Sequence, residues 1–227
     1  GPGLEARLRG DAGARPVTRS DASEPVSFDT DTYGSSNLHK YESESRLYQW
    51  HLDAFHDMLS DLVAEADPAT LLDAGCGEGV VTELIRRRPP HLELTGIDLS
   101  GPAIAYARHE YGSEIRFEVG SLYDLPYVAS AFDTVLCSEV LEHLERPKDA
   151  LSELGRVARE HVLLTVPLEP YFEVTNRIGR WLGLSPDPGH VQFWTHRDFR
   201  RLVRDHLVDP VFRTKHVYQL ALGGAPE

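Results

Sequence analysis

The chain has 227 residues, of which 36 are Asp or Glu and 23 are Lys or Arg, so its formal net charge is −13. This length suits one domain with extensions, and the acidic balance argues against a broad nucleic-acid-binding surface, because phosphate contacts need clustered Lys and Arg. Only two cysteines are present, so no disulfide framework is expected. No apolar run approaches membrane-spanning length and the first residues lack a signal-peptide core, so we expect a soluble, cytoplasmic protein.

The N-terminal part of the chain divides into stretches of different character. Residues 1–27 are rich in Gly, Ala, Arg, Asp and Ser without hydrophobic periodicity, which predicts a disordered segment ahead of a domain spanning 28–227. Aromatic residues among polar ones in 28–41 predict either a flap that orders over a cofactor or an arm that packs on the domain. Apolar positions then recur at helical spacing over 43–66, so a helix is expected there, ending before Pro68.

From Thr70 onward, apolar strand patterns alternate with helical ones. The predicted strands are 70–74, 91–98, 115–119, 131–137 and 161–166, and the predicted helices are 80–88, 102–111 and 147–159. This alternation predicts an α/β fold with a doubly wound, mainly parallel sheet. The ligand sites of such a sheet gather at the carboxyl ends of its strands.

The alternation breaks after Pro167. Residues 168–194 carry several aromatic residues and prolines and are too long for a simple connection, so we expect a lid over the ligand site. Thr195 is a candidate N-cap for a helix that reaches about residue 206. Two last strands are predicted at 211–217 and 218–222.

The turn after the first strand is the most informative stretch, and it reads Asp73-Ala74-Gly75-Cys76-Gly77-Glu78-Gly79. Glycine reaches positive φ at no steric cost and lets the backbone approach a ligand closely, so this turn suits a ligand lying across it. The dinucleotide fingerprint G-x-G-x-x-G fails here, because Val80 occupies the third glycine position. The pattern D-x-G-x-G-x-G instead resembles motif I of the class I S-adenosylmethionine-dependent methyltransferases. The resemblance implies a Rossmann-like, seven-stranded fold, with Asp73 near the methionine amino group of the cofactor and Gly75, Cys76 and Gly77 beside the cofactor.

Two further segments extend this resemblance. Asp98 ends the second predicted strand, where a carboxylate can accept both ribose hydroxyls of an adenosine, and the family implies a cofactor contact from the adjoining Leu99. The segment 120–126, G-S-L-Y-D-L-P, resembles the family pattern G-D-A-x-D-L-P, whose second position binds the adenine amino group. Ser121 replaces the usual acid there, so it would accept that hydrogen bond more weakly, with the backbone of Leu122 supplying the rest.

After the fourth predicted strand the sequence reads Ser138-Glu139-Val140-Leu141-Glu142-His143. The resemblance implies a cofactor contact from Ser138. If the segment opens a helix, Glu139, Glu142 and His143 share one face at spacings i, i+3 and i+4. Two carboxylates and an imidazole at the carboxyl edge of the sheet can hold a divalent ion such as Mg²⁺, and His190 suggests a fourth ligand.

The pairing of E-x-x-E-H with a later H-x-x-F-W-T resembles the small-RNA 3′-terminal 2′-O-methyltransferases and, more loosely, the ubiquinone-biosynthesis O-methyltransferases. In the first group two glutamates and two histidines bind a metal that grips adjacent hydroxyls, which nominates Glu139, Glu142, His143 and His190 as ligands. The motif also occurs without a metal, the acids then favouring the helix N-terminus and the histidine touching substrate. His190 could then cap a helix or pack beneath Trp194. His143 and Glu142 are the candidate catalytic residues.

Together these resemblances imply an enzyme that transfers a methyl group from S-adenosylmethionine to a small-molecule or saccharide acceptor. The prediction is a Mg²⁺-assisted O-methyltransferase for a vicinal diol of a sugar or glycoside, because chelation lowers the pKa of an aliphatic hydroxyl. The alternatives are a metal-free enzyme for a catechol, phenol or other small molecule with His143 as base, an RNA 2′-O-methyltransferase, and a non-catalytic S-adenosylmethionine-binding protein. The net charge disfavours a nucleic-acid partner, no membrane partner is expected, and a monomer or homodimer is predicted.

Overall fold

The computed structural model describes residues 46–87, 91–168 and 191–226 of the chain. The expectations for the first 45 residues and for positions 169–190 of the lid, His190 among them, fall outside this part. Within it the helices are α1 (Arg46–Ala66), α2 (Val80–Arg86), α3 (Gly101–Tyr111), α4 (Pro147–Val157) and α5 (His196–Arg204). The strands are β1 (Thr70–Ala74), β2 (Glu93–Asp98), β3 (Arg116–Val119), β4 (Phe132–Ser138), β5 (Ala158–Pro167), β6 (Val208–Lys215) and β7 (Tyr218–Gly224).

The strands form one seven-stranded sheet in the order β3-β2-β1-β4-β5-β7-β6. The first five strands of the chain pair in parallel, whereas β7 runs antiparallel to both of its neighbours, β5 and β6. This arrangement confirms the predicted α/β fold with a doubly wound sheet. The last hairpin therefore folds back so that β7 lies between β5 and the edge strand β6.

Apolar side chains cover both faces of the sheet. One buried cluster joins β4 and β5 to α4 and α5, and the other joins β1 and β7 to α1 and α3. Strands buried on both faces read as continuous apolar runs, as 162–164 does, which is why the sequence pattern located them. In the part of the chain that the structure describes, no helix is both long and apolar enough to cross a membrane.

Two helices, α3 and α5, begin at the carboxyl edge of the sheet with side-chain caps. The hydroxyl of Thr195 accepts a hydrogen bond from the backbone N–H of Asp198 at 3.2 Å, which confirms Thr195 as the N-cap of α5. At the start of α3, Ser100 accepts from Ala103 N–H at 3.3 Å and Pro102 occupies the first turn. Both helices therefore begin at the edge of the sheet where the glycine turn also lies.

Asp133 ties β4 to β1 at the opposite, amino-terminal edge of the sheet. One of its carboxylate oxygens accepts from the backbone N–H groups of Ala69 at 3.1 Å and Thr70 at 2.9 Å, and from the Thr70 hydroxyl at 3.1 Å. The other oxygen lies 3.1 Å from the Arg159 guanidinium. Burial raises the pKa of Asp133, but the hydrogen bonds from Thr70 and the charge of Arg159 outweigh it, so the net pKa lies below the ordinary value.

Replacing Asp133 with Ala is expected to lower the free energy of unfolding by about 2–3 kcal/mol, because buried N–H donors and an arginine lose their acceptor. The contribution of the carboxylate is present above its ordinary pKa and disappears as the pH falls through the depressed one. Urea denaturation at pH 7 measures the change. Asp149→Ala is the control, since Asp149 pairs with Arg146 only at the surface. Equal losses in the two variants would contradict the expectation.

Candidate active site

The glycine turn adopts the backbone that its sequence predicts. Gly75, Gly77 and Gly79 have φ of +87°, +52° and +79°, a region that residues with a Cβ seldom enter. A Cβ on Gly75 would lie 2.5 Å from the Val140 side chain, and one on Gly79 would lie 2.8 Å from the Phe117 ring. A Cβ on Gly77, in contrast, would meet no atom within 4 Å. The turn is therefore closely packed at both ends and open in its middle.

Asp98 holds the open part of this turn. One carboxylate oxygen accepts from the backbone N–H of Gly77 at 2.9 Å, and the other accepts from the N–H of Ser100 at 2.8 Å. Each oxygen has a second lone pair, and the side chain is only half-buried, so further donors can reach it. Asp98 thus presents two acceptors beside the gap at Gly77.

Asp73 lies beneath the turn rather than at its surface. Its side chain is 1% exposed, and one of its oxygens accepts from the Thr82 hydroxyl at 2.6 Å. Burial raises the pKa of Asp73 to about 7, the Thr82 hydrogen bond partly offsets this, and the charge of Asp98 adds to it. Asp73 therefore braces β1 against α2, while Asp98 is the carboxylate that a ligand can reach directly.

The other residues predicted to contact the cofactor differ in exposure and in hydrogen bonding. Leu99 is 73% exposed although it is a large apolar residue. Ser121 accepts from the Tyr123 N–H at 3.2 Å through its hydroxyl, which still has its own proton to donate, and Leu122 is buried. The Cys76 sulfur packs against Gly96, and burial, followed by the charges of Asp73 and Asp98, raises the pKa of its thiol. That thiol is neutral, so Cys76 contributes packing and backbone to the turn.

The segment after β4 is not the helical face that the sequence suggested. Glu139 has a φ of +56°, and the only helical residues that follow directly are a 3₁₀ turn at Leu141–His143. Glu142 is 1% exposed, whereas His143 is exposed. The interpretation of Glu139, Glu142 and His143 as one face of a helix is therefore wrong. Its physical reason is the left-handed backbone at Glu139, which separates this residue from the turn that carries the other two.

Thr165 is a residue of this region that the sequence analysis missed. It is fully buried near the end of β5, and its hydroxyl lies 2.9 Å from the Glu139 carboxylate and 3.0 Å from both the Glu139 N–H and the Ser138 hydroxyl. Ser138 is thus tied to Thr165 within the sheet. The signal that could have found Thr165 is a hydroxyl residue interrupting the apolar run of the fifth strand, at the edge where ligands bind.

Residues 191–195, here called the strap, cross the same edge of the sheet. The backbone N–H groups of Val191 and Gln192 both donate to the Glu142 carbonyl at 2.9 Å. Farther along, the Gln219 amide donates to the Trp194 carbonyl at 2.9 Å. The Trp194 side chain packs into the buried cluster beside α5. The strap therefore joins the turn after β4 to β7.

Glu139, Glu142 and His143, the three predicted metal ligands that the structure describes, do not form a metal-binding group. Across residues 46–87, 91–168 and 191–226, no three His, Cys, Asp or Glu side chains form a group that could hold a metal ion. Glu139 uses a carboxylate oxygen on Thr165, and His143 is exposed while Glu142 is buried. The described members of the set therefore do not fit a chelate.

A family model described as a methyltransferase domain matches residues 72–166. This stretch of the chain is therefore similar to a methyltransferase domain. The matched range begins in β1 and includes the glycine turn, Asp98, Ser121 and the turn after β4. The residues predicted to hold the cofactor all lie within it.

Two curated relatives resemble the chain over part of their length. The demethylmenaquinone methyltransferase of Thermotoga maritima is 27% identical over 128 residues, which are 56% of this chain and 56% of that protein. The ubiquinone biosynthesis O-methyltransferase of Hahella chejuensis is 34% identical over 93 residues, which are 39% of this chain and 38% of that protein. The chain thus spans about half or less of the length of these relatives.

The same fold is found in solved methyltransferase structures. The magnesium protoporphyrin IX methyltransferase of Synechocystis PCC 6803, crystallised with bound SAH, superposes with a TM-score of 0.63 at 18% identity. The superposition covers 86% of this chain and 97% of that one. The chain therefore has the class I methyltransferase fold, with β7 in the antiparallel position.

The raised pKa of Asp73 predicts how the stability of the fold depends on pH. Between the ordinary value of 3.8 and about 7, the folded chain holds a proton that the unfolded chain releases. This residue therefore stabilises the fold most at low pH, and its contribution is lost as the pH rises through 7. From pH 5.5 to 8, the wild type is expected to lose about 2 kcal/mol of unfolding free energy relative to Asp73→Asn.

Urea denaturation of both proteins at the two pH values measures this difference. Asn keeps an oxygen that accepts from Thr82 but cannot ionise, so the variant isolates the charge of the carboxylate. Parallel stabilities of the two proteins across the range would show that Asp73 keeps an ordinary pKa.

Proposed function

We propose that the chain is an S-adenosylmethionine-dependent methyltransferase that methylates an oxygen of a small molecule. The observation that carries this proposal is the open glycine turn at Gly77, held by the Asp98 carboxylate inside the matched methyltransferase domain. An enzyme rather than a binding protein is favoured because an ionisable side chain, His143, stands exposed at the same edge of the sheet.

The residues present fit S-adenosylmethionine. Asp98 has free lone pairs to accept the ribose hydroxyls, and Leu99 offers an exposed apolar surface for the adenine ring. The Ser121 hydroxyl and the Leu122 backbone lie in the segment that follows β3, where the adenine amino group is expected. The gap at Gly77 leaves room for the backbone to approach the cofactor. When bound, the cofactor supplies an electrophilic methyl group on a sulfonium.

His143 is the proposed general base. Displacement at a methyl group needs a positioned nucleophile, and a hydroxyl becomes a good nucleophile only as its proton leaves. The exposed imidazole of His143 can accept that proton at a ring nitrogen. Glu142 is buried in the same 3₁₀ turn, and its carbonyl holds the strap through Val191 and Gln192. Glu142 therefore supports the turn that carries the base.

Two acceptor classes follow from the sequence and from the relatives. The sequence favours one hydroxyl of a vicinal diol on a sugar or glycoside, whereas the name of one relative, the ubiquinone biosynthesis O-methyltransferase, favours an oxygen on the ring of a quinone precursor. We propose the aromatic hydroxyl first, because an acidic phenol needs only a base and no Lewis acid. A small molecule remains a better partner than RNA for a chain of net charge −13.

The finer proposal of a Mg²⁺-assisted reaction rests on the full set Glu139, Glu142, His143 and His190. One contact supports it, since Val191, the neighbour of His190, hydrogen-bonds to the Glu142 carbonyl. The three described members do not form a chelate, so no step of the mechanism is assigned to a metal.

Removal of metal decides between these alternatives. Because His143 alone suffices for a phenol, we expect turnover of an aromatic acceptor to change less than twofold after EDTA treatment and gel filtration. Readdition of Mg²⁺ to the stripped protein is the control. A loss greater than tenfold that Mg²⁺ restores would establish the metal-assisted reaction instead.

Calorimetry with S-adenosylmethionine and SAH, followed by an acceptor screen that measures SAH release, tests the proposed function. The screen includes catechols and phenols as one class of acceptor and glycosides that carry vicinal hydroxyls as the other. Cofactor binding with turnover of either class supports a methyltransferase and identifies its acceptor. Absence of binding by both cofactor forms overturns the proposal.

We also propose a cellular compartment and an oligomeric state for the protein. Cys76 and Cys137 are both free and buried, which suits the reducing cytoplasm. We propose a monomer or a homodimer, and light scattering after gel filtration distinguishes the two.

A further inference from the structure

The turn that carries His143 begins with a residue in an unfavourable backbone conformation. Glu139 has a φ of +56° although it is not glycine, and its Cβ makes this conformation sterically unfavourable. Strained residues of this kind persist only where the surrounding structure holds them, and they cluster at functional sites. The contacts of Glu139 therefore show what keeps this turn in place.

Thr165 holds Glu139 at three points. The Glu139 N–H donates to the Thr165 hydroxyl at 3.0 Å and to the Thr165 carbonyl at 3.2 Å, and the Glu139 carboxylate accepts from the Thr165 hydroxyl at 2.9 Å. Because that hydroxyl has one proton and gives it to Glu139, Ser138 is the donor in the 3.0 Å contact between the two hydroxyls. The Thr165 hydroxyl is thus fully used as one donor and two acceptors.

Thr165, which anchors these hydrogen bonds, lies in the rigid interior of the sheet. Thr165 is completely buried and pairs within the sheet with Ser138 of β4 and Leu220 of β7. The next residue of the turn, Val140, occupies the space that a Cβ on Gly75 would need. The left-handed residue therefore directs the chain from the centre of the sheet onto the glycine turn.

The 3₁₀ turn follows immediately from this placement. Leu141 is fully buried, and the His143 N–H donates to the Val140 carbonyl at 2.9 Å. The position of His143 is thus connected to Thr165 through only four residues, 139–142. A shift at Glu139 would therefore move the base through the 3₁₀ turn.

We propose that Thr165 is a positioning residue that locks Glu139 in its left-handed conformation and so aligns His143 with the cofactor turn. Glu139 then acts through the backbone and through Thr165, and not as a metal ligand. The part that concerns His143 as a base rests on the proposed function, whereas the lock itself does not.

Thr165→Val tests the proposal, because valine keeps the shape of the side chain and removes its hydroxyl. Amide hydrogen exchange measured by NMR is expected to become at least tenfold faster at Glu139 and His143. Thr165→Ser keeps the hydroxyl and should stay within threefold of the wild type. Thr134→Val is the matched control, since Thr134 is equally buried in β4 and its hydroxyl has no hydrogen-bond partner among the described residues.

Kinetics with an acceptor from the screen separates positioning from general loosening. We expect Thr165→Val to lower kcat at least tenfold while calorimetry gives a Kd for SAH within threefold of wild type, and Thr165→Ser to restore kcat. The proposal is wrong if amide exchange at Glu139 and His143 is no faster in Thr165→Val than in Thr134→Val. If no acceptor is turned over, the proposed function fails while the exchange data still decide on the lock.

If Thr165→Val does not fold, two variants of Glu139 test the same proposal. Glycine adopts positive φ freely. Alanine has a Cβ that makes this conformation unfavourable, and it lacks the carboxylate that contacts Thr165. The lock predicts faster amide exchange at His143 in Glu139→Ala than in Glu139→Gly. Equal exchange in the two variants contradicts it.

Discussion

Asp98→Asn is expected to raise the Kd for S-adenosylmethionine about 100-fold, which corresponds to the loss of roughly two charge-assisted hydrogen bonds. Both oxygens of the wild-type carboxylate accept from backbone N–H groups, those of Gly77 and Ser100. An asparagine amide must turn its NH₂ group toward one of these donors, so the variant both removes the charge and disturbs the turn.

Isothermal titration calorimetry with S-adenosylmethionine and SAH measures this loss. Asp205→Asn is the control, because Asp205 is an exposed residue at the C-terminal end of α5. Both ligands contain the ribose, so both should weaken by a similar factor. Binding of the Asp98→Asn variant within threefold of the wild type would place the adenosine elsewhere.

His143→Gln is expected to lower kcat by about 10²–10⁴-fold, the usual contribution of a general base. Cofactor binding should stay within twofold, because His143 lies on the turn after β4 and not on the glycine turn. With a phenolic acceptor the loss should shrink as the pH passes about 10, where an ordinary phenol ionises without help.

Steady-state kinetics from pH 6 to 10.5 checks both parts of this expectation. His109→Gln is the matched control, since His109 is an exposed histidine in the last turn of α3. A kcat of the His143→Gln variant within threefold of the wild type at pH 7 would exclude His143 as the base.

The amino-acid sequence alone determined the main elements and the glycine turn. Apolar runs and helical spacing located five parallel strands and the helices between them, because those patterns express local geometry and burial. Gly75 and Gly77 were expected at positive φ, and both have it, since glycine enters that region at low cost. The position of Asp98 at the end of β2 also follows from local pattern, because it directly follows the apolar run of that strand.

Only the tertiary structure decided the features that join distant parts of the chain. Glu139 takes a left-handed conformation because of Thr165, 26 positions away, and no local pattern predicts that. The pKa of Asp73 rises because packing buries it, and Asp133 finds its partner Thr70 on another strand, 63 positions away. Hydrogen bonds and burial of this kind depend on which elements meet in the fold, so the sequence indicated the residue types at the site but not their arrangement.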